Sequence, residues 1–274
     1  MSVLRVPSLF LCHGGGPLPL MAAQGAKGMF SDSSLSEALR ATSSLLSGQK
    51  PKAILLISAH WETGPDLAIT SSPRPPLLFD YSGFPPETYE YTYPCQGDPE
   101  LARRAADLLN AAGHPCRLDG ERGYDHGIFV PLMLAFPSAD IPVVALSLHR
   151  SLDPAMHLSI GRTLSPLRDE GVLIIGSGLS FHSMAAFSFS GNSGSSTRGE
   201  RWDIALNTAV TAEPSVRDAA LAEWESLPDA RASHPREEHL LPLLVAAGAG
   251  SEDRGVNTFR DAYMDVIVSN FRFG

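Results

Sequence analysis

Three apolar runs that each stop at a histidine, SLFLCH at 8–13, AILLISAH at 53–60 and IPVVALSLH at 141–149, decide how this chain folds. Val, Ile and Leu follow one another in them without the polar alternation of a half-wetted strand, which marks strands covered on both faces. A fourth run, GVLIIG at 171–176, leads through Ser177 into SGLSFH, ending at His182. Helical patterns lie between the strands. One spans 99–112 with Asp98 as its N-cap, and another spans 154–169 with Asp153 in the same role and Pro166 ending or bending it.

Alternating strands and helices give an α/β fold: a single domain over 1–274, with a central, mostly parallel sheet flanked by helices. Ligands of such sheets bind outside the carboxyl ends of the strands. His13, His60 and His182 all fall at or just after those ends, so one rim of the sheet is expected to gather them. Two longer segments, 63–96 with its Pro and Tyr residues and 189–199 with its Gly and Ser, read as lids or binding loops.

Composition narrows the function. With 274 residues, 43% apolar and 19% charged, the chain can bury the core of an enzyme. Thirty acidic against 21 basic residues give a formal charge of −9, which would repel a phosphate backbone, so nucleic acid is excluded as a partner. No apolar run is long enough to span a bilayer, and the start of the chain makes a buried strand rather than a signal peptide. Cys12, Cys95 and Cys116 are widely spaced and lack CxxC pairing, so neither a disulfide framework nor a thiolate zinc site is expected. These features place the protein in the cytoplasm and are compatible with a homo-oligomer.

The chain has nine histidines. His114 follows a helix end and His157 lies within a helix, and both read as surface or helix-end residues. His149 ends a strand but lacks a glycine turn, which leaves its role open. His13 precedes three glycines that let the backbone turn sharply and approach a ligand. His60 sits in SAHWE and His126 in YDHGIFVPL. Neutral imidazoles joined by one more N or O donor suit Fe(II), Zn(II) or Cu(II). A rival reading takes HGGG at 13–16 as an oxyanion hole and GLSFH at 178–182 as a nucleophile elbow, giving a serine hydrolase. His182, however, stands where the elbow needs glycine.

Seven segments in order, SLFLCHGGGPLPL, AILLISAHWET, DYSGFPPETYEYTYPCQGDPELARR, RGYDHGIFVPLMLAFP, IPVVALSLH, GVLIIGSGLSFHSM and ASHPREEHLLPLLVAAGA, resemble the LigB superfamily of class III extradiol dioxygenases, in its DOPA-dioxygenase-like branch. They span nearly the whole chain. The resemblance implies a non-haem Fe(II) enzyme that opens a catechol, such as DOPA or caffeate, with O2 to a semialdehyde, and that carries Zn(II) in some isolated forms. It implies that His13 and His60 are metal ligands, that His182 is the acid–base histidine, and that His126 is the second histidine of the substrate and oxygen pocket. The third ligand falls in HPREEH, with His234 first and Glu238 second; otherwise Glu238 caps the following helix and His239 lies on its exposed face. Relatives of the same fold that act in redox signalling keep a non-enzymatic reading open. For a substrate carboxylate, Arg122 is the first candidate partner, with Tyr91, Ser180 and Asn192 as neutral donors.

Overall fold

The computed structural model describes residues 5–26, 34–188 and 199–274. Its strands are β1 (Ser8–Cys12), β2 (Ala53–Thr63), β3 (Leu67–Thr70), β4 (Cys116–Asp119), β5 (Val143–His149), β6 (Val172–Gly178), β7 (Gly255–Tyr263) and β8 (Val266–Phe273). They form one eight-stranded sheet in the order β4-β3-β5-β2-β6-β1-β8-β7. The four inner strands β5, β2, β6 and β1 are mutually parallel, whereas β3 meets β5, and β8 meets both β1 and β7, in antiparallel fashion. The α/β fold with a mostly parallel sheet is therefore observed. The four runs read from the sequence are its centre, and β3, β4, β7 and β8 extend it.

The inner strands are apolar because both of their faces are covered. Leu9, Phe10, Ile54, Leu55, Leu56, Ile57, Leu173, Ile174 and Ile175 are all fully buried, each contributing on the order of 1.5–3 kcal/mol of transfer free energy. The helix Pro99–Ala111 begins where Asp98 accepts hydrogen bonds from the Glu100 and Leu101 amides. Asp153 likewise accepts from the Met156 amide, and the chain re-forms as two helices, Pro154–Leu164 and Pro166–Asp169, around Pro166. Pro166 has no N–H to continue the first helix, as its sequence position implied.

The helix Leu241–Gly250 presses on β6. A Cβ at Gly176 would lie 2.0 Å from the Pro242 carbonyl oxygen, and one at Gly178 would lie 2.1 Å from that of His239. Only glycine admits this approach, and it carries the segment before the helix onto the rim of the sheet. The segment 63–96 is more structured than its composition suggested, since it contains β3 and a short 3-10 helix, Pro86–Tyr89. The segment expected to reach from 189 to 199, with Asn192, lies outside the described residues except for Gly199. Among the described residues, no helix is long and apolar enough to cross a membrane.

Candidate metal centre

β6 lies between β1 and β2, so the carboxyl ends of these three parallel strands stand side by side. His13 follows β1 directly, and its amide extends the pairing by donating to the Gly178 carbonyl. The chain then turns through Gly14 and Gly16, whose φ angles of 77° and 51° are left-handed, and the Gly15 amide donates to the Tyr263 hydroxyl at 2.8 Å. HGGG is thus a turn that lets the chain leave the sheet while His13 stays on its rim. His60 lies inside β2 rather than after it, at a place where pairing with β5 slips between Ile57 and Glu62. Such a bulge re-aims a side chain, and Gly127 leaves room for it: a Cβ there would lie 3.1 Å from His60 Cδ2.

The ring nitrogens follow from the hydrogen-bond network. Ser177 Oγ donates to the Gly127 carbonyl, so it accepts from His13 Nδ1–H at 3.0 Å. His13 Nε2 therefore carries a lone pair. That nitrogen faces His60 Nε2 at 3.0 Å. His126, the first residue of the helix His126–Ala135, has its ring centroid 4.0 Å from that of His60 and 5.3 Å from that of His13. Its Nδ1 meets Asp80 Oδ1 at 2.8 Å.

The opposite flank is built by His182, Glu238 and His239. His182 lies beyond β6, and its amide donates to the Ser233 carbonyl. Its ring stacks on that of His239 with centroids 3.5 Å apart. Glu238 Oε1 takes His239 Nδ1 at 2.8 Å and His182 Nδ1 at 3.2 Å. The His239 ring centroid is 4.9 Å from that of His60 and 5.4 Å from that of His13. Arg236 forks onto both oxygens of Glu62 at 2.6 Å and stands 3.3 Å from Glu238 Oε2, a contact without hydrogen-bond alignment.

Burial, together with the neighbouring imidazoles, pushes His13 and His60 well below their ordinary pKa. Burial likewise pushes His239 down to about 4. Burial opposes ionisation of Glu238, yet the hydrogen bonds from His182 and His239 outweigh it and hold the carboxyl far below the usual range. At neutral pH His13, His60 and His239 are therefore neutral imidazoles, with the Glu238 carboxylate behind His239. This protonation state is the one that ligates metal, and a carboxylate is the kind of partner that orients a ligating histidine.

His60, His126, His182 and His239 line a cavity of about 230 Å3 together with Gly14, Gly15, Gly16, Leu18, Phe84, Leu179, Met184, Phe187, Tyr263 and Met264. Among the described residues two groups of donors are close enough to share an ion, His13/His60/His126 and His182/Glu238/His239, and each contributes two histidines to the cavity lining.

The other residues read from the sequence lie elsewhere. His234 is buried with its Nε2 donating to the Ser180 carbonyl at 3.0 Å and its ring against Trp202 and Trp224. It belongs to neither donor group, because the chain passes it as the cap of the short helix Ala230–Ser233 before reaching the rim. His239, assigned from sequence to an exposed helix face, is only 5% exposed and points into the cluster. His157 is fully buried rather than superficial: it donates to the Asp153 carbonyl and accepts from the His149 amide. His149 bonds Ser151 and the Pro65 carbonyl.

Of the four substrate-binding candidates Asn192 lies outside the described residues, and Arg122, Tyr91 and Ser180 do not line the cavity. Arg122 Nη2 donates to Asp125 Oδ2 at 3.0 Å and to the His60 carbonyl at 3.3 Å, with its guanidinium over Trp61. It buttresses the strand that carries His60. Tyr91 hydroxyl reaches Gln24. Ser180 Oγ accepts from the Ser269 amide at 2.8 Å and neighbours Cys12 Sγ. With its hydroxyl held there, Ser180 is not placed as a nucleophile, and the hydrolase reading falls.

Comparison with known proteins agrees with this architecture. A family model described as "Catalytic LigB subunit of aromatic ring-opening dioxygenase" matches residues 8–270. The chain is 40% identical to "Dioxygenase tasH" of Hapsidospora irregularis over 98% of its own length and 85% of that protein. It is 37% identical to the 4,5-DOPA dioxygenase extradiol of Beta vulgaris, covering 96% and 93% of the two chains. Against the Escherichia coli K12 protein of that name the identity is 34%, covering 91% and 87%. Among solved structures, uncharacterized protein JW3007 from Escherichia coli K12 superposes with a TM-score of 0.79 at 28% identity, covering 98% of this chain and all of that one.

Proposed function

This chain belongs to the LigB family of aromatic ring-opening dioxygenases, and on that premise we propose that it opens a catechol with O2 at a single Fe(II) ion held by His13, His60 and His239. The observation that carries the reading is the cluster of imidazoles gathered at the adjoining carboxyl ends of β1, β2 and β6, of which His60, His126, His182 and His239 line one cavity.

The donor set fits such an ion. His13 Nε2 and His60 Nε2 lie 3.0 Å apart, close enough that both nitrogens would hold one ion at ordinary metal–nitrogen distances of about 2.0–2.1 Å. Both rings are neutral, and His13 aims a lone pair at this point. We take His239 as the third donor: its Nδ1 is held by Glu238, which leaves Nε2 for the ion, and its ring adjoins those of both His13 and His60. Glu238, the second sequence candidate, instead orients imidazoles. A three-nitrogen set suits iron and would also accept zinc. When bound, the iron supplies the Lewis acidity and redox capacity that bring catechol and O2 together.

The chain's own residues do the rest. His182 takes a catechol hydroxyl proton on its outer nitrogen. The resulting imidazolium is stabilised by Glu238 across the 3.2 Å contact at Nδ1, and the proton is later returned to the oxygen that needs it. His126, across the cavity, presents a second imidazole with its Nδ1 engaged by Asp80. Leu18, Phe84, Leu179, Met184, Phe187 and Met264 give the cavity an apolar wall that excludes water and packs the aromatic ring. DOPA, caffeate and related catechols form the substrate class. Reduced Cys12, Cys95 and Cys116 fit a cytoplasmic setting.

The test loads the protein with Fe(II) anaerobically, adds a panel of catechols and admits air. A yellow product with the mass of substrate plus O2 is expected. Iron-loaded protein that opens no catechol of the panel would overturn the reading.

A further inference from the structure

We infer that Asp80 is a positioning residue that holds His126 in its Nδ1–H tautomer and aims the free Nε2 at the cavity. This rests on the functional reading above, in which His126 serves the bound catechol. A single oxygen, Asp80 Oδ1, takes both the ring Nδ1–H of His126 at 2.8 Å and the backbone N–H of the same residue at 2.9 Å. Rotation of the imidazole about either side-chain bond breaks the first bond, while the second fixes the backbone from which the ring turns. A carboxylate only accepts, so the proton between Asp80 and Nδ1 belongs to the imidazole, and in the neutral ring Nε2 keeps its lone pair.

The local structure explains why this carboxylate comes from so far away. The His126 amide is one of the orphan donors at the start of the helix His126–Ala135. Asp125 occupies the N-cap position but makes no side-chain cap. Its Oδ1 takes the Ser58 hydroxyl and its Oδ2 takes Arg122. Asp80, 46 residues away, supplies the missing acceptor, and its charge is favourable beside a helix N-terminus. Its second oxygen lies 4.0 Å from His60 Nδ1, so the carboxylate faces two imidazoles of the cluster.

The segment carrying Asp80 is tied down rather than hung free. The Leu78 amide donates to the Tyr124 carbonyl, Leu77 bridges Tyr124, and the Tyr81 ring packs against His126 and Phe129. The Tyr81 hydroxyl is held by the Thr88 carbonyl. A carboxylate fixed in this way sets ring orientation and tautomer together, the office of outer partners in histidine-rich centres.

Two substitutions separate placement from charge. In Asp80→Asn the side-chain amide oxygen still accepts both bonds, whereas Asp80→Ala accepts neither. We expect Asp80→Ala to lower kcat about 10- to 100-fold with KM little changed and iron content intact, and Asp80→Asn to recover most of the loss. In protein labelled with 15N-histidine and loaded with Zn(II), the His126 ring, assigned by its absence in His126→Gln, should be Nδ1-protonated in wild type and in Asp80→Asn. In Asp80→Ala it should lose that single state. Wild-type His126 protonated at Nε2, an alanine variant with wild-type kcat, an asparagine variant as impaired as alanine, or loss of metal in the alanine variant would each overturn the inference. If iron-loaded wild type opened no catechol, the functional reading would fail, and the tautomer measurement would still decide what Asp80 does.

Discussion

The two flanks of the His13–His60 pair use the same device in different ways. On one side Asp80 commits a single oxygen to one histidine, gripping the ring and backbone of His126. On the other, Glu238 divides a single oxygen between two histidines, His182 and His239, whose rings stack on each other. Asp80 comes from a segment of irregular structure, whereas Glu238 stands beside Arg236, whose guanidinium is clamped to Glu62 at the end of β2. Asp80 hydrogen-bonds His126 alone and stands 4.0 Å from His60 Nδ1, so damage on its side should fall mainly on one imidazole, while damage on the Glu238 side should reach both a proposed metal ligand and the proposed acid–base histidine.

The largest effect expected from breaking this asymmetry comes from His182 itself. His182→Phe should lower turnover by about 10²- to 10⁴-fold, the usual span for losing an acid–base group, while iron and bound catechol are retained. Metal analysis and single-turnover absorbance check this. Iron lost along with activity would make His182 a ligand.

Next in size is Glu238→Ala. Removal of the shared carboxylate should weaken metal affinity by about 10- to 100-fold and lower kcat as well, whereas Asp80→Ala lowers kcat alone. Competitive chelator titration of the two variants measures the contrast, and equal affinities would erase the distinction between the flanks.

A histidine without a carboxylate sharpens the comparison further. Burial holds His157 at a pKa of about 4, and its partners are a backbone carbonyl and a backbone amide. Its folded pKa lies below the unfolded value of about 6.5, so the unfolded chain takes up the proton first as pH falls. Stability is therefore full above about pH 6.5 and is lost as pH descends toward 4, by roughly 2 kcal/mol at pH 5 from this residue alone. Denaturant midpoints of the metal-free protein should fall between pH 7.5 and 5, and His157→Gln should shrink that fall. An unchanged pH dependence in the variant would place the proton uptake elsewhere.

The smallest differential effect is expected at Arg122. Because its guanidinium is engaged by Asp125 and the His60 carbonyl, Arg122→Ala should change KM for DOPA and for unsubstituted catechol by the same factor. A loss confined to DOPA would return Arg122 to the substrate site.

What could be read from the sequence follows the range of each signal. Uninterrupted Val, Ile and Leu announced β1, β2, β5 and β6, and Asp98 and Asp153 announced their helices, because these signals are local. Strand ends then implied a common rim for His13, His60 and His182, and the rim exists because β6 lies between β1 and β2. The HPREEH stretch misled for a physical reason. Its helix-cap reading puts His239 on an exposed helix face, but the helix that follows, LPLLVAAGAG, is buried at every position. A helix apolar all round buries the residue that enters it, and that pattern could have directed attention to His239. Gly176 and Gly178 were a second unused signal, since glycines in a central strand mark a close backbone approach. Asp80 left no such trace: its partner is remote in sequence, and no periodicity connects a loop aspartate to a helix N-terminus elsewhere.

The most direct measurement is the iron content of His239→Ala beside His126→Ala, after identical anaerobic loading and desalting, with folding checked by circular dichroism. Both histidines adjoin His13 and His60, and only one is assigned to the metal. We predict that His239→Ala retains little iron and that His126→Ala retains about one ion per chain, as wild type does. Iron kept by His239→Ala and lost from His126→Ala would contradict the assignment and move the metal to the Asp80 flank.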